Sequence, residues 1–150
     1  LKESEYPGKK YTLNLIDKKN FQLNKFLYMK IGKKYRWIDR LEWTDQKWIN
    51  YVSSKNLLTF ILKNKEDVVG YFELIVHYNK KEVEIAYFGI LEEYFGKKLG
   101  GYLLSEAIKK SFSMDINRIW LHTCSLDHEN ALKNYLSRGM KIYKVESLKL

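Results

Sequence analysis

Apolar and polar positions change period several times along the chain, and each change marks an element. Residues 11–16 alternate and predict a first strand, which residues 17–20 interrupt. From residue 21 to 31, Leu23, Phe26, Leu27 and Ile31 recur at helical spacing, and Gly32 is placed to end that helix. An aromatic stretch follows, with Tyr35, Trp37, Trp43, Trp48 and Tyr51; within it Thr44 is a plausible N-cap for a short helix over residues 45–52. The period then falls to two. Residues 57–62, 68–78 and 83–91 predict three meandering strands, with turns at 64–67 and 79–81. Leu99, Leu103, Ala107 and Ile108 share one face of a helix expected over residues 97–113. Residues 118–123 predict a strand, 130–137 a helix ended by Gly139, and 140–145 a last strand. Strand, two helices, three strands, helix, strand, helix, strand is the order of an α/β fold: a mixed, mostly antiparallel β-sheet flanked by helices.

Composition narrows the class. The 150 residues are 45% hydrophobic and 30% charged with one proline, which fits a single domain over residues 1–150. No apolar run approaches the roughly 20 residues of a membrane span, so no membrane role is expected. Nothing reads as a secretion signal, and Cys124 is the only cysteine, so no internal disulfide can form; a reducing, cytoplasmic setting is the expectation. The formal net charge of +9 admits nucleic acid or an anionic small ligand. Only 4 of the 27 basic residues are arginine, however, the residue that surfaces clamping phosphate or reading bases often favour. Nucleic acid is therefore not expected as the primary partner.

One turn carries a more specific signal. Between a strand and an amphipathic helix lies E-E-Y-F-G-K-K-L-G-G, residues 92–101. Gly96, Gly100 and Gly101 leave the backbone open to close approach. Lys97 and Lys98 fall in what reads as the first helical turn, where positive side chains oppose the helix dipole. An anion at the free N–H groups would reconcile them, and pyrophosphate is the obvious candidate. The alternative is a turn glycine followed by two helix-packing glycines. The spacing fits neither a dinucleotide fingerprint, which also opens a βαβ unit, nor a P-loop, which needs Gly-Lys-Ser/Thr.

The stretch E-I-A-Y-F-G-I-L-E-E-Y-F-G-K-K-L-G-G-Y-L-L, residues 84–104, resembles the acetyl-coenzyme A motif of the GNAT acetyltransferase superfamily, a strand followed by Arg/Gln-x-x-Gly-x-Gly/Ala and a helix. N-A-L-K-N-Y-L-S-R-G-M, residues 130–140, resembles that family's second motif, and the element order is similar over nearly the whole chain. The phrases D-R-L-E-W-T-D-Q-K-W and W-L-H-T-C-S-L-D-H are similar to a bacterial branch of the family. Two positions depart from the pattern: Phe95 stands where the family has Arg or Gln, and Lys98 replaces its first glycine.

The resemblance implies the GNAT fold and an N-acetyltransferase moving an acetyl group from acetyl-CoA to an amine, by direct transfer with a general base and a general acid. It implies cofactor contacts from Ile90, Leu91, Phe95, Gly96, Lys97, Lys98, Leu99, Gly100 and Gly101. Backbone N–H groups would do most of the binding, with Lys97 or Lys98 supplying charge that Phe95 cannot, and Asn130 would reach the pantetheine arm or cap its helix. Glu84, six residues before Ile90, matches the family's general base; the competing reading is a solvent-facing strand residue on the same face as Glu82. Tyr135 matches its general acid, against a packing role beside Leu132 and Leu136. His122 is an alternative base or substrate contact. His122, Cys124 and His128 form H-x-C-x-x-x-H, but no fourth ligand is evident, so no metal is expected. Tyr35, Trp37 and Asp39 are the candidate acceptor contacts: aromatic faces attract a cation, and Asp39 or Asp45 could pair with it, while ordinary core packing is the alternative for the tryptophans. The expected partner is a small-molecule or peptide amine, and a homodimer is compatible with it. A non-catalytic acyl-CoA sensor and a basic nucleic-acid module are the competing classes.

Overall fold

The computed structural model describes residues 10–35, 37–122 and 131–143. Among the described residues, five strands form one sheet in sequence order: β1 (Tyr11–Leu15), β2 (Leu57–Asn64), β3 (Asp67–His77), β4 (Glu82–Ile90) and β5 (Arg118–Trp120). The first three pairings are antiparallel and β4–β5 is parallel. Two helices, α1 (Phe21–Tyr35) and α2 (Asp45–Ser53), lie between β1 and β2; α3 (Leu99–Phe112) bridges β4 to β5, and α4 (Ala131–Ser137) follows. The expected mixed, mostly antiparallel α/β sheet is therefore what the chain builds.

Alternation on β3 shows how the layers divide. Phe72, Leu74 and Val76 join Val83, Ile85, Leu103 and Ala107 in a core under α3. Their neighbours Tyr71, Glu73 and Ile75 belong to the opposite face, where Leu27, Tyr28 and Ile31 of α1 and Trp48 and Val52 of α2 pack. Each fully buried large side chain contributes about 1.5–3 kcal/mol, so both faces hold the sheet.

A bulge in β4 sets the site. Glu73 pairs with Tyr87 but Leu74 pairs with Ile85, so Ala86 is the extra residue. From there on, the parity of β4 reverses. Glu84 and Tyr87 consequently share the α1/α2 face, opposite Ile75 and Glu73, while Phe88 turns towards the α3 core.

Several predicted boundaries move. Thr44 does cap α2, its hydroxyl accepting from the Lys47 N–H at 3.1 Å. Gly32 does not end α1, which continues to Tyr35. The glycine instead makes room for an indole, because a Cβ there would lie 3.0 Å from Trp37. The hairpin at 64–67 is a two-residue turn of Lys65 and Glu66, with Lys65 left-handed at φ 55°. β5 stops at Trp120, short of the expected residue 123, and residues 140–143 are not a strand. Residues 144 and 145 of that expected strand, like residue 123, lie outside the described residues.

Candidate functional site

At the N-terminus of α3 the chain leaves regular structure in two left-handed steps, Gly96 at φ 80° and Lys98 at φ 60°. Lys98 is the N-cap, so Lys97 and Lys98 precede the helix and do not occupy its first turn as the sequence suggested. The first amides of α3, from Leu99, Gly100 and Gly101, have no acceptor within the helix. Space is open in front of them. A Cβ on Gly96 would meet nothing within 4 Å, and one on Gly100 would meet only Asn134 Nδ2 at 3.6 Å. The local backbone does not need those glycines for clearance, which fits a cradle for an anionic group approaching from outside.

α4 docks on this cradle. Asn134 Nδ2 donates to the Gly100 carbonyl at 3.1 Å. The next residue, Tyr135, is 7% exposed in the same core as Ile90, Leu99 and Leu103, and its ring meets Phe88 edge-on at 6.4 Å. Phe95 packs against that core too. Leu91 already uses both backbone groups: its N–H donates to the Val69 carbonyl at 2.8 Å, and its carbonyl accepts from Tyr94 at 2.9 Å. Its amide is thus not open to a ligand. Asn130 lies outside the described residues.

β4 itself offers another surface. β5 pairs with it only over residues 82–84, so from Ile85 to Phe88 that edge has no strand beside it among the described residues. An exposed strand edge accepts an extended, amide-bearing chain as a further strand. This edge runs from Glu84 towards Tyr135.

On the α1/α2 face, Glu84 does not stand alone. Its Oε1 lies 3.3 Å from His77 Nε2, both groups half-buried. The His77 ring stacks on Trp120 at 5.8 Å, and Trp120 meets His122 edge-on at 5.2 Å. His122 is exposed and lies beyond the end of β5, contrary to the strand position expected. Cys124 and His128 lie outside the described residues, and among those described no group of three His, Cys, Asp or Glu could hold a metal. Glu82 shares the face as expected, but Arg118 Nη1 donates to its Oε2 at 3.2 Å. A Glu82 variant therefore perturbs an ion pair.

The aromatic cluster holds a cation, and that cation is the chain's own Arg40. Its guanidinium lies 4.2 Å from the Tyr51 ring, 4.3 Å from Tyr87, 4.7 Å from Trp43 and 5.3 Å from Trp48. Arg40 is 5% exposed and pairs at 3.0 Å with Glu73, which is fully buried. The Tyr51 hydroxyl accepts from Arg40 Nη2 at 2.7 Å and donates to Glu73 Oε1 at 2.6 Å. Asn24 Nδ2 donates to Glu73 Oε2 at 2.8 Å. Burial, the largest single influence, disfavours the Arg40 charge. The Glu73 carboxylate and the surrounding phenols outweigh it, so its pKa lies above the ordinary arginine value. Burial pushes the Tyr51 phenol well above its usual range, and the Glu73 charge adds to this, so the hydroxyl stays a donor.

Beside this cluster, the Tyr87 hydroxyl donates to Asp39 Oδ2 at 2.9 Å; burial first, then this hydrogen bond, hold the phenol neutral well above its usual pKa. Trp37 packs on the same ring at 4.6 Å. Asp39 and Trp37, two expected acceptor contacts, are thus brought together by Tyr87. Tyr35 is the last residue of α1, and its side chain lies outside the described part. Asp45 pairs with Lys25 at 2.9 Å on the surface and is not part of this group. Sequence reasoning missed His77, Arg40, Glu73 and Tyr87. Arg40 left a trace, as a rare arginine among aromatics in Y-R-W-I-D-R-L-E-W, but its partner is 33 residues away on another element.

Known proteins add an independent line. The family model described as "Acetyltransferase (GNAT) family" matches residues 21–140. Curated protein sequences give no match. Among solved structures, PaiA N-acetyltransferase from Thermoplasma acidophilum in complex with coenzyme A is similar at TM-score 0.70 and 16% identity, over 90% of this chain and 93% of that one. The ribosomal-protein-S18-alanine N-acetyltransferase from Escherichia coli is similar at TM-score 0.67 and 15% identity, over 86% of this chain and 76% of that one. An aminoglycoside acetyltransferase from an uncultured soil metagenomic sample, in complex with sisomicin, reaches TM-score 0.69 at 10% identity, over 93% of this chain and 97% of that one. At these identities the likeness is one of fold.

Proposed function

The chain belongs to the Acetyltransferase (GNAT) family, and on that premise we propose that it transfers an acetyl group from acetyl-CoA to an amine. The observation that carries the reading is the open β4 edge, lying between the α3 cradle with Tyr135 on one face and Glu84 on the other. Acetyl-CoA, when bound, supplies a thioester acyl group and a thiol leaving group. The amides of α3 and the backbone around Gly96 hold its diphosphate, with Lys97 and Lys98 nearby adding charge that Phe95 does not provide. The open edge of β4 takes the amide-bearing arm. Tyr135 delivers a proton to sulfur as the C–S bond breaks; a phenol of pKa about 10 is a suitable donor to a thiolate of about 8.5. Glu84 takes the proton that the amine loses as its nitrogen bonds the acyl carbon, directly or through a water, and His77 holds the carboxylate in place. His122, one ring further out, is the alternative base.

The acceptor comes from the α1/α2 face, where Trp37, Tyr87 and Asp39 form a wall. Asp39 offers a carboxylate to a cationic amine. Protein and aminoglycoside acetyltransferases share the fold, and both kinds of acceptor are amines.

The first test is binding. Gly100→Val fills the approach to α3 while a Cβ at that position meets only an ordinary contact with Asn134. Calorimetry should show acetyl-CoA affinity falling at least about tenfold, equivalent to roughly 1.4 kcal/mol, with the melting temperature little changed. Unchanged affinity would place the diphosphate elsewhere. Thiol release that rises with added amine separates a transferase from an acyl-CoA sensor.

A second test addresses the base. An alkylamine has a pKa near 10 and is mostly protonated at neutral pH, so a base has a proton to remove. Glu84→Gln keeps the shape and can still hydrogen-bond His77, but accepts no proton. The pH–rate profile should lose or shift its ascending limb, with activity partly restored at high pH where the amine deprotonates unaided. A profile identical to wild type would transfer the role to His122 or remove it from the protein.

A further inference from the structure

Resting on that reading of the acceptor side, we infer that Arg40 is a positioning residue for amine recognition, acting through Tyr87 and Asp39 without touching the acceptor. The segment between α1 and α2 is anchored at each end by a half-buried indole, Trp37 on the rings of Tyr28 and Tyr87 and Trp43 on those of Trp48 and Tyr51. Ile38 and Leu41, on either side of Asp39 and Arg40, are both 51% exposed and contribute no anchor. Of the residues between those two indoles, Arg40 alone is buried. Its side chain is fixed to Glu73 and Tyr51, and its own backbone N–H donates to the Tyr28 hydroxyl at 2.9 Å.

The consequence falls on the preceding residue. With the backbone pinned at Arg40, Asp39 is presented to the Tyr87 hydroxyl, while the face of the Tyr87 ring lies against the guanidinium at 4.3 Å. One cation thereby fixes both partners of the Asp39–Tyr87 pair: the loop through its main chain, the ring through its charge. A buried ion pair is a poor source of net stability compared with apolar packing of the same volume. Its geometric constraint on the exposed stretch between the two indoles gives the network a role that apolar packing would not fill. Lysine could keep the charge but not the planar fork that reaches Glu73 and Tyr51 together.

Tyr51→Phe is the decisive variant, because it removes the hydroxyl joining Arg40 to Glu73 and keeps the ring. Sisomicin, spermidine and an alanine-terminated peptide serve as acceptors. For the acceptor that wild type acetylates, KM should rise roughly fivefold, the scale of one lost hydrogen bond, with kcat and the acetyl-CoA KM unchanged. Asp39→Asn should raise the same KM, and the double variant should be no worse than the poorer single one, since both act on one pair. Arg40→Lys should fall between wild type and Tyr51→Phe if it folds. An unchanged amine KM in Tyr51→Phe, an equal rise in the acetyl-CoA KM, or additive effects in the double variant would overturn the inference and leave the transferase reading standing. Acetylation of none of the three amines by wild type would strike down the acceptor reading itself, and the inference with it.

Discussion

Tyr135→Phe is expected to lower kcat by about 10²-fold, the scale of general acid catalysis, while acetyl-CoA affinity stays close to wild type. The ring is what packs: it meets Phe88 edge-on in the core that includes Ile90 and Leu99, and phenylalanine preserves that contact. Only the hydroxyl is lost. On the proposed mechanism that oxygen matters when negative charge appears on sulfur, so it stabilises the transition state and not the bound ground state. kcat and kcat/KM should therefore fall together. Steady-state kinetics with a fixed amine, alongside calorimetry for the cofactor, separate the two. Wild-type turnover would reduce Tyr135 to a packing residue and leave the thiolate to take its proton from water.

The largest effect on stability is expected from Arg40→Met. Glu73 is fully buried, and removing its cation leaves a charge with only neutral donors, Tyr51 and Asn24. Breaking a buried ion pair from one side costs about 3–5 kcal/mol. Denaturant unfolding should show a loss of that size in ΔG, with the midpoint falling accordingly. Adding Glu73→Leu should recover much of it, because the uncompensated charge goes as well. Recovery should stop short of wild type, since the Tyr51 hydroxyl and the Asn24 amide would lose a buried acceptor. A single-variant loss below about 1 kcal/mol would mean that Tyr51 and Asn24 alone satisfy the carboxylate.

How much of this was legible in the sequence depends on distance along the chain. Thr44 capping α2, the strand meander and the amphipathic α3 all rest on neighbours within one or two turns, and each is found within two residues of where the pattern put it. Gly32 failed as a helix stop because its reason is a tertiary one, the indole of Trp37 pressed against the position where a side chain would be. The start of α3 moved by two residues because Lys98 adopts a left-handed conformation that propensity assigns to glycine. Glu84 and Tyr135 became candidates only through motif resemblance. The bulge at Ala86, which turns Tyr87 towards Asp39, leaves no mark in the alternation of β4. The Arg40–Glu73 pair was invisible for a related reason: Glu73 sits in an apolar strand, and nothing local says which cation will meet it.

Product analysis tests the central claim most directly. The chain is incubated with acetyl-CoA carrying a deuterated acetyl group and with sisomicin, spermidine or an alanine-terminated peptide, and the amines are weighed by mass spectrometry while released thiol is counted. The account predicts that at least one amine gains the labelled acetyl group in step with thiol release, and that Tyr135→Phe slows both equally. Thiol release with no labelled amine, or binding of acetyl-CoA with neither product in the presence of all three acceptors, would contradict it.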